Sequence, residues 1–332
     1  MAALGHLESK LAVLRPLIEA DSTIEVAING DGRVWVERAG DSAMSLADAT
    51  LSPVEVKDLA GLIANKQRLT LTDALPAIST TVDYAGATLR CQAIIPPASA
   101  GGTTITFRVF RRRHADEGPK HFRFLRDQTV SLEAERLELL RRVRDMAMHG
   151  ADPDEFLRAC IQARMNIVIS GGTSSGKTEL ARRLLWMVEE WHRLVLIEDS
   201  AELLPARENV VSLIAERTEA SARSADKLLE MTLRLRPDRI ILGELRGVEA
   251  MTFLEAINTG HEGSFTTLHA TTARKAVNRL AFLVMRAGMP LALAEIRDYV
   301  RESIDVIVQT GRIGKERGIL ETYFPALDGE SD

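Results

Sequence analysis

Eight consecutive residues, Gly171-Gly172-Thr173-Ser174-Ser175-Gly176-Lys177-Thr178, satisfy the pattern G-x-x-x-x-G-K-[ST]. Glycines allow a turn tight enough to bring backbone N–H groups onto phosphate oxygens, and a helix starting behind the turn adds the positive end of its dipole. In such a loop Lys177 reaches the β and γ phosphates and Thr178 offers its hydroxyl to Mg²⁺, so the segment points to binding of ATP with Mg²⁺. Hydrolysis requires in addition a carboxylate that can orient water. Glu198, Asp199 and Glu202 close the apolar run Leu194 to Ile197, and Glu244 closes Ile240 to Leu242, at strand ends where ligands bind in open α/β folds. Glu244 is the expected general base. Arg246, just beyond it, is expected to contact phosphate or to pair with a carboxylate. His261 and His269 stand eight residues apart around a strand, with Gly260 and Gly263 beside the first. They suit a nucleotide-sensing loop better than a metal site, because no Cys accompanies them and Mg²⁺ prefers oxygen.

These groups need elements to hold them. The loop lies between the apolar run Ile167 to Ile169 and a helical pattern carrying Leu180, Leu184, Leu185 and Val188 on one face. Further short apolar runs at Leu194 to Ile197, Val210 to Ile214, Ile240 to Leu242, Ser264 to Leu268 and Val306 to Val308 alternate with helical stretches. That pattern implies an α/β domain with a largely parallel sheet. Upstream, Thr23 to Ile28, Arg33 to Glu37 and Thr103 to Val109 read as strands, and Ser52-Pro53-Val54-Glu55 as a capping box opening a helix. Expected helices also begin at Ser131, with a stripe of Leu132, Leu139, Leu140, Val143 and Ala147, and at a capping box on Asp152. The expected division is an α+β N-terminal domain over residues 1–118, a basic linker over 119–130 and the ATPase domain over 131–332.

Composition narrows the classes. With 332 residues, 45% apolar and 27% charged, the chain suits two ordinary globular domains. A net charge of −5 gives no reason to expect nucleic acid as the main partner, although Arg111 to Arg126 is locally basic. Cys91 and Cys160 form no CxxC pair and read as core thiols. Met1 to Ala20 lacks the uninterrupted apolar stretch of a signal peptide, and no window reaches the roughly 20 apolar residues of a membrane span. A cytoplasmic address with at most peripheral membrane contact is expected.

The segments, in this order, resemble the secretion-ATPase superfamily, which powers type II secretion, type IV secretion and type IV pili. Gly171 to Thr178 is similar to its Walker A box, Glu198 to Glu202 to its aspartate box, Ile240 to Glu244 to its Walker B box, and Gly260 to His269 to its histidine box. Two positions depart from the common wording. Ser174 replaces a glycine, with little effect expected, and no Asp precedes Glu244, which leaves Mg²⁺ second-shell ligation to Glu198 or Asp199. The chain lacks the four-cysteine module usual in the type II and pilus-extension enzymes. Glu295 to Glu302 only partly matches the retraction enzymes. The wording of the loop and the short N-terminal domain look most like the type IV secretion ATPase, the eleventh component of VirB-type systems. The resemblance implies a homohexamer at the cytoplasmic face of the inner membrane among other secretion components, and a nucleotide approached by N-terminal arginines. Arg108 is the leading candidate and Arg90 a second. A pilus assembly or retraction motor is the nearest alternative. More distant are a non-hydrolysing scaffold and a RecA-like nucleic-acid motor. The transported substrate is not legible.

Overall fold

A computed structural model of the chain describes residues 2–111, 122–126 and 129–328. It divides into two compact units, each drawn from two stretches: Met1–Arg112 with Glu189–Gly243, and Arg113–Val188 with Glu244–Asp332. The expected boundary at residue 118 lies outside the described residues. So do 119–121 and 127–128 of the linker, and Arg112, Arg113 and Lys120 of the basic run.

The first unit opens with α1 (Ala2–Leu11), a 3₁₀ turn and α2 (Arg15–Glu19). Six strands follow, β1 (Thr23–Ile28), β2 (Arg33–Arg38), β3 (Ser45–Thr50), β4 (Ala77–Tyr84), β5 (Ala87–Ile94) and β6 (Thr104–Arg111), with α3 (Pro53–Lys66) after β3. They form one antiparallel sheet in the order β3-β2-β1-β6-β5-β4. Alternation of side chains sends Val26, Ile28, Val36, Leu89, Cys91 and Phe107 to one face, where Leu11, Leu14, Leu59 and Ile63 complete the core. The Ser52 capping box is present, with Ser52 Oγ accepting the Glu55 N–H at 3.3 Å and Glu55 Oε2 accepting the Ser52 N–H at 2.9 Å. The opposite face carries a cross-strand row of charge, in which Glu25 faces Glu37 on one neighbour and Arg108 on the other, and Arg108 faces Arg90.

The chain then enters the second unit through α4 (Leu132–Met148), α5 (Pro153–Gln162), β7 (Ile167–Ser170) and α6 (Lys177–Met187). On α4 the apolar stripe begins later than expected: Leu140 and Val143 are buried, but Leu132 in the first turn is exposed. Asp152 caps α5 one-sidedly, its Oδ1 accepting the Asp154 N–H at 2.8 Å, in place of the reciprocal box expected there. Cys160 is a buried free thiol, as is Cys91, and burial pushes both thiols well above their usual range.

Returning to the first unit, the chain forms β8 (Leu194–Glu198), β9 (Val210–Ile214), α7 (Ala225–Thr232) and β10 (Arg239–Leu242), with β8 parallel to both β9 and β10. Buried polar clamps tie this stretch to the antiparallel sheet. Arg236 grips Glu37 bidentately at 2.8 and 2.9 Å and also pairs with Asp238. Fully buried Arg193 donates to Asn29 Oδ1 at 2.7 Å, to Leu235 O at 2.8 Å and to Asn209 Oδ1. Backbone bonds add to them, with the Ala100 N–H donating to Ser212 O at 2.9 Å and the Ile214 N–H to Ala98 O at 2.8 Å.

Glu25 lies within this assembly, and burial pushes its carboxyl up to about 7 against the opposing pull of Arg108. Between the ordinary value of 4.5 and about 7 the folded chain holds a proton that the unfolded chain has released. Stability therefore falls as pH rises through that window. Glu25→Gln should be more stable than the parent at pH 8, on the order of 2 kcal/mol, and should match it below pH 4.5. Unfolding temperatures of both proteins from pH 4 to 8 check this, and a constant offset across the range would contradict it.

The last stretch completes the second unit with α8 (Glu249–Asn258), β11 (Phe265–Leu268), α9 (Ala273–Arg286), α10 (Leu293–Ser303), β12 (Val306–Ile313), β13 (Glu316–Tyr323) and α11 (Pro325–Asp328). Here β7 runs parallel between β11 and β12, and β13 pairs antiparallel with β12. All four residues of β7 and of β11 are buried, as strands covered on both faces should be.

Candidate functional site

The loop after β7 takes a shape that only part of its sequence adopts without cost. Gly176, which precedes α6, has φ +100°, and a Cβ at Gly171 would stand 2.3 Å from Ser175 Oγ and 2.5 Å from Thr310 Oγ1. Both positions therefore require glycine. Gly172 meets nothing within 4 Å where a Cβ would lie, and Thr173 is exposed, so this side of the loop is open. Ser174, at the position read as departing from the family wording, has φ +58°, a left-handed conformation that glycine takes more easily. Ser175 is buried behind the loop. Thr310 donates to Ser170 O at 3.1 Å, so the 2.8 Å bond between the two hydroxyls is donated by Ser175.

Lys177 begins α6 and folds back over the loop, donating to Gly171 O at 3.0 Å and Gly172 O at 2.9 Å. Its Nζ also lies 3.4 Å from His269 Nδ1. Burial lowers its pKa against the raising influence of Glu244. Thr178, one residue on, is half-buried at the start of the helix.

Glu244 reaches this cluster from the segment after β10, where the Leu245 N–H donates to Thr267 O on β11 at 2.9 Å. One carboxylate oxygen lies 3.4 Å from His269 Nε2, and the other accepts from Arg246 Nη2 at 2.8 Å. Burial disfavours the Glu244 charge, but the Arg246 hydrogen bond and the charges of Arg246, His269 and Lys177 outweigh it, and the carboxyl is held below its usual range. Glu244 is thus ionised at neutral pH and only partly covered, a carboxylate that can accept a proton from water. His269 bridges Lys177 and Glu244 from the residue directly after β11.

Three positioning groups escaped the sequence reading. Glu249 is buried, and its Oε1 accepts the N–H groups of Arg246 at 2.6 Å and Gly247 at 2.7 Å, fixing the turn that carries Glu244. An acidic residue in the first turn of a helix was the available signal. Gln309 donates to Ala270 O at 3.2 Å, next to His269, and Thr310 braces Ser175. Nothing local in the sequence marks either.

The two expected histidines do not gather in one place. His261 precedes β11, whose register with β7 places Phe265 beside Ile167 and Leu268 beside Ser170. His261 therefore stands at the end of that strand opposite to His269 and the loop, where its carbonyl accepts from Ser264 Oγ at 2.6 Å. Glu198 and Arg108 belong to the first unit. Glu198 Oε1 accepts the N–H groups of Glu202 at 3.1 Å and Leu203 at 3.0 Å, and Asp199 pairs with Arg217 at 3.0 Å. Arg108 is exposed on β6, an interior strand, with its guanidinium carbon 5.9 Å from the Phe110 ring centre.

A glycine loop between a buried parallel strand and a helix, with lysine folded over it, defines a P-loop nucleotide-binding protein of RecA-like α/β architecture. The chain belongs to the type II/IV secretion system protein family, whose model matches residues 124–312. It is 36% identical over 303 residues to the conjugal transfer protein TrbB of Rhizobium radiobacter, covering 90% of this chain and 83% of that protein. It is 34% identical over 335 residues to the type IV secretion system protein VirB11 of Brucella suis biovar 1, covering 96% and 89%. The crystal structure of the VirB11 ATPase from the Brucella suis type IV secretion system, in complex with sulphate, matches with a TM-score of 0.82 at 30% identity, over 98% of this chain and 97% of that one. The family expected from the sequence is the family found.

Proposed function

We propose that this chain is an ATP-hydrolysing motor that energises type IV secretion or conjugal transfer. The observation that carries the proposal is the contact set around Glu244: an ionised, partly exposed carboxylate held by Arg246 and by His269, which itself touches Lys177 of the phosphate loop. A scaffold that only binds nucleotide needs the loop and the lysine but not this carboxylate. The match to TrbB and VirB11 relatives over 90% and 96% of this chain favours secretion over a pilus motor.

In this mechanism the triphosphate settles on the open side of Gly172 and Thr173, and Lys177 exchanges the Gly171 and Gly172 carbonyls for β and γ phosphate oxygens. The Thr178 hydroxyl is an oxygen donor of the kind a hard cation takes, and Mg²⁺ held there would neutralise charge on the phosphates. Glu244 accepts the proton of the attacking water. Loss of the γ phosphate changes what Lys177 and His269 contact, so His269 transmits the change from the loop to β11. Glu198 as a carboxylate serving the cation and Arg108 as a phosphate contact are proposed on their chemistry and the family resemblance. Assembly as a homohexamer beside inner-membrane secretion components rests on that resemblance too. Among the described residues no helix is long and apolar enough to cross a membrane.

Phosphate release from ATP by the purified protein tests the proposal, run beside Lys177→Ala with solution mass measured with and without nucleotide. Turnover should fall by at least about 10²-fold in Lys177→Ala, since both binding and charge stabilisation are removed. Nucleotide binding without turnover in the parent protein would favour the scaffold.

A further inference from the structure

The β12–β13 hairpin carries cations that the site described above does not use. Arg312 and Arg317 face each other directly across its ladder. Like charges in that position destabilise a strand pair unless an anion joins them. Arg312 turns its Nε onto Gly314 O at 2.6 Å. Arg317 is exposed, and its side chain has no hydrogen bond or ion pair within the described residues.

The hairpin lies against the phosphate loop. A Cβ at Gly176 would stand 4.0 Å from Arg317 Cβ, and Thr310, two residues before Arg312 on the same face of β12, bonds to Ser175. Half-buried Ile319, two residues after Arg317, faces Thr310 across the ladder. Strand order gives the direction. β7 and its loop have β11 on one side and β12 on the other. Lys177, His269 and Glu244 gather on the β11 side, which marks the end where the terminal phosphate is attacked. A nucleotide lying across the loop then extends its sugar and base toward β12 and β13.

We propose that Arg317, seconded by Arg312, holds the nucleoside end of the bound nucleotide, its sugar and base, rather than the phosphates that the loop holds. The inference rests on the P-loop reading of the site and adds a residue that sets nucleotide affinity from the far side of the loop. Contacts at that end persist from ATP to ADP, so they lower KM without raising kcat.

Calorimetric titration of the full-length protein, Arg317→Ala and Arg317→Gln with ATP, ADP and inorganic tripolyphosphate tests it. ATP and ADP should each bind about tenfold more weakly to both variants, the worth of one charge-assisted hydrogen bond. Tripolyphosphate should bind them as it binds the parent, KM for ATP should rise, and kcat should stay within about twofold. Equal ATP affinity in parent and variants would overturn the inference. So would an equal loss of tripolyphosphate binding, which would put Arg317 on the β and γ phosphates, or a fall in kcat at unchanged KM. Failure of the parent itself to bind ATP would instead overturn the P-loop reading on which the inference stands.

Discussion

Glu244→Gln should bind ATP within about twofold of the parent and hydrolyse it about 10²- to 10⁴-fold more slowly, the range a positioned general base supplies. The substitution preserves shape and the hydrogen bond accepted from Arg246 but removes the charge. It also removes one of the influences that raise the Lys177 pKa, so the lysine stays cationic less readily. The phosphate loop and the Lys177 ammonium poised over its Gly171 and Gly172 carbonyls are left in place to take the phosphates, which is why binding should survive. Single-turnover phosphate release, with binding measured separately, separates the two effects. Near-parental turnover would remove Glu244 as the base and leave the carboxylate a structural partner of Arg246.

Arg193→Ala should destabilise the first unit by about 3–5 kcal/mol, the cost of breaking up a buried, hydrogen-bonded charge cluster. Four groups lose their donor or counter-charge at once: Asn29, Asn209, Leu235 and the neighbouring Asp238, whose carboxylate accepts the Arg193 backbone N–H at 2.7 Å. Burial already pushes the guanidinium down to about 10, in spite of Asp238 and Glu25 nearby, so the site holds a charge under considerable desolvation. Urea unfolding followed by the fluorescence of buried Trp35, with Trp186 and Trp191 replaced by Phe in both proteins, reports on this unit. A loss below about 1 kcal/mol would show that water replaces the missing guanidinium.

Local chemistry explains what was legible in advance. The phosphate loop announces itself because glycine, lysine and threonine do their work within eight consecutive residues. The placing of Glu244 and His269 at the carboxyl edge of the sheet was legible because each follows an apolar strand, Glu244 after Gly243 and His269 at once. The same reasoning misled at His261, because a histidine before a strand and one after it are held a strand length apart. Leu132 was assigned to the α4 stripe on spacing alone, yet spacing cannot tell whether a helix's first turn has anything to pack against. Gln309, Thr310 and Arg317 were not legible at all. Thr310 meets Ser175 across 135 residues of sequence, and a residue of that kind acquires its role only when β12 is laid beside β7. Glu25 and Arg193 escaped for a different reason: charged residues are ordinarily expected outside, and their burial depends on partners from two distant stretches.

The two-stretch make-up of the first unit bears on how the chain is born. When β1 to β6 have left the ribosome, Glu25 and Glu37 still lack Arg193 and Arg236, which lie beyond a stretch of the other unit. At about 5–20 residues per second, the roughly 80 intervening residues take several seconds to make. Throughout that interval the nascent sheet can close only its helix-covered side. The other side, with Ala27, Trp35 and Met44 beside carboxylates still lacking those later arginines, is what a chaperone would meet first.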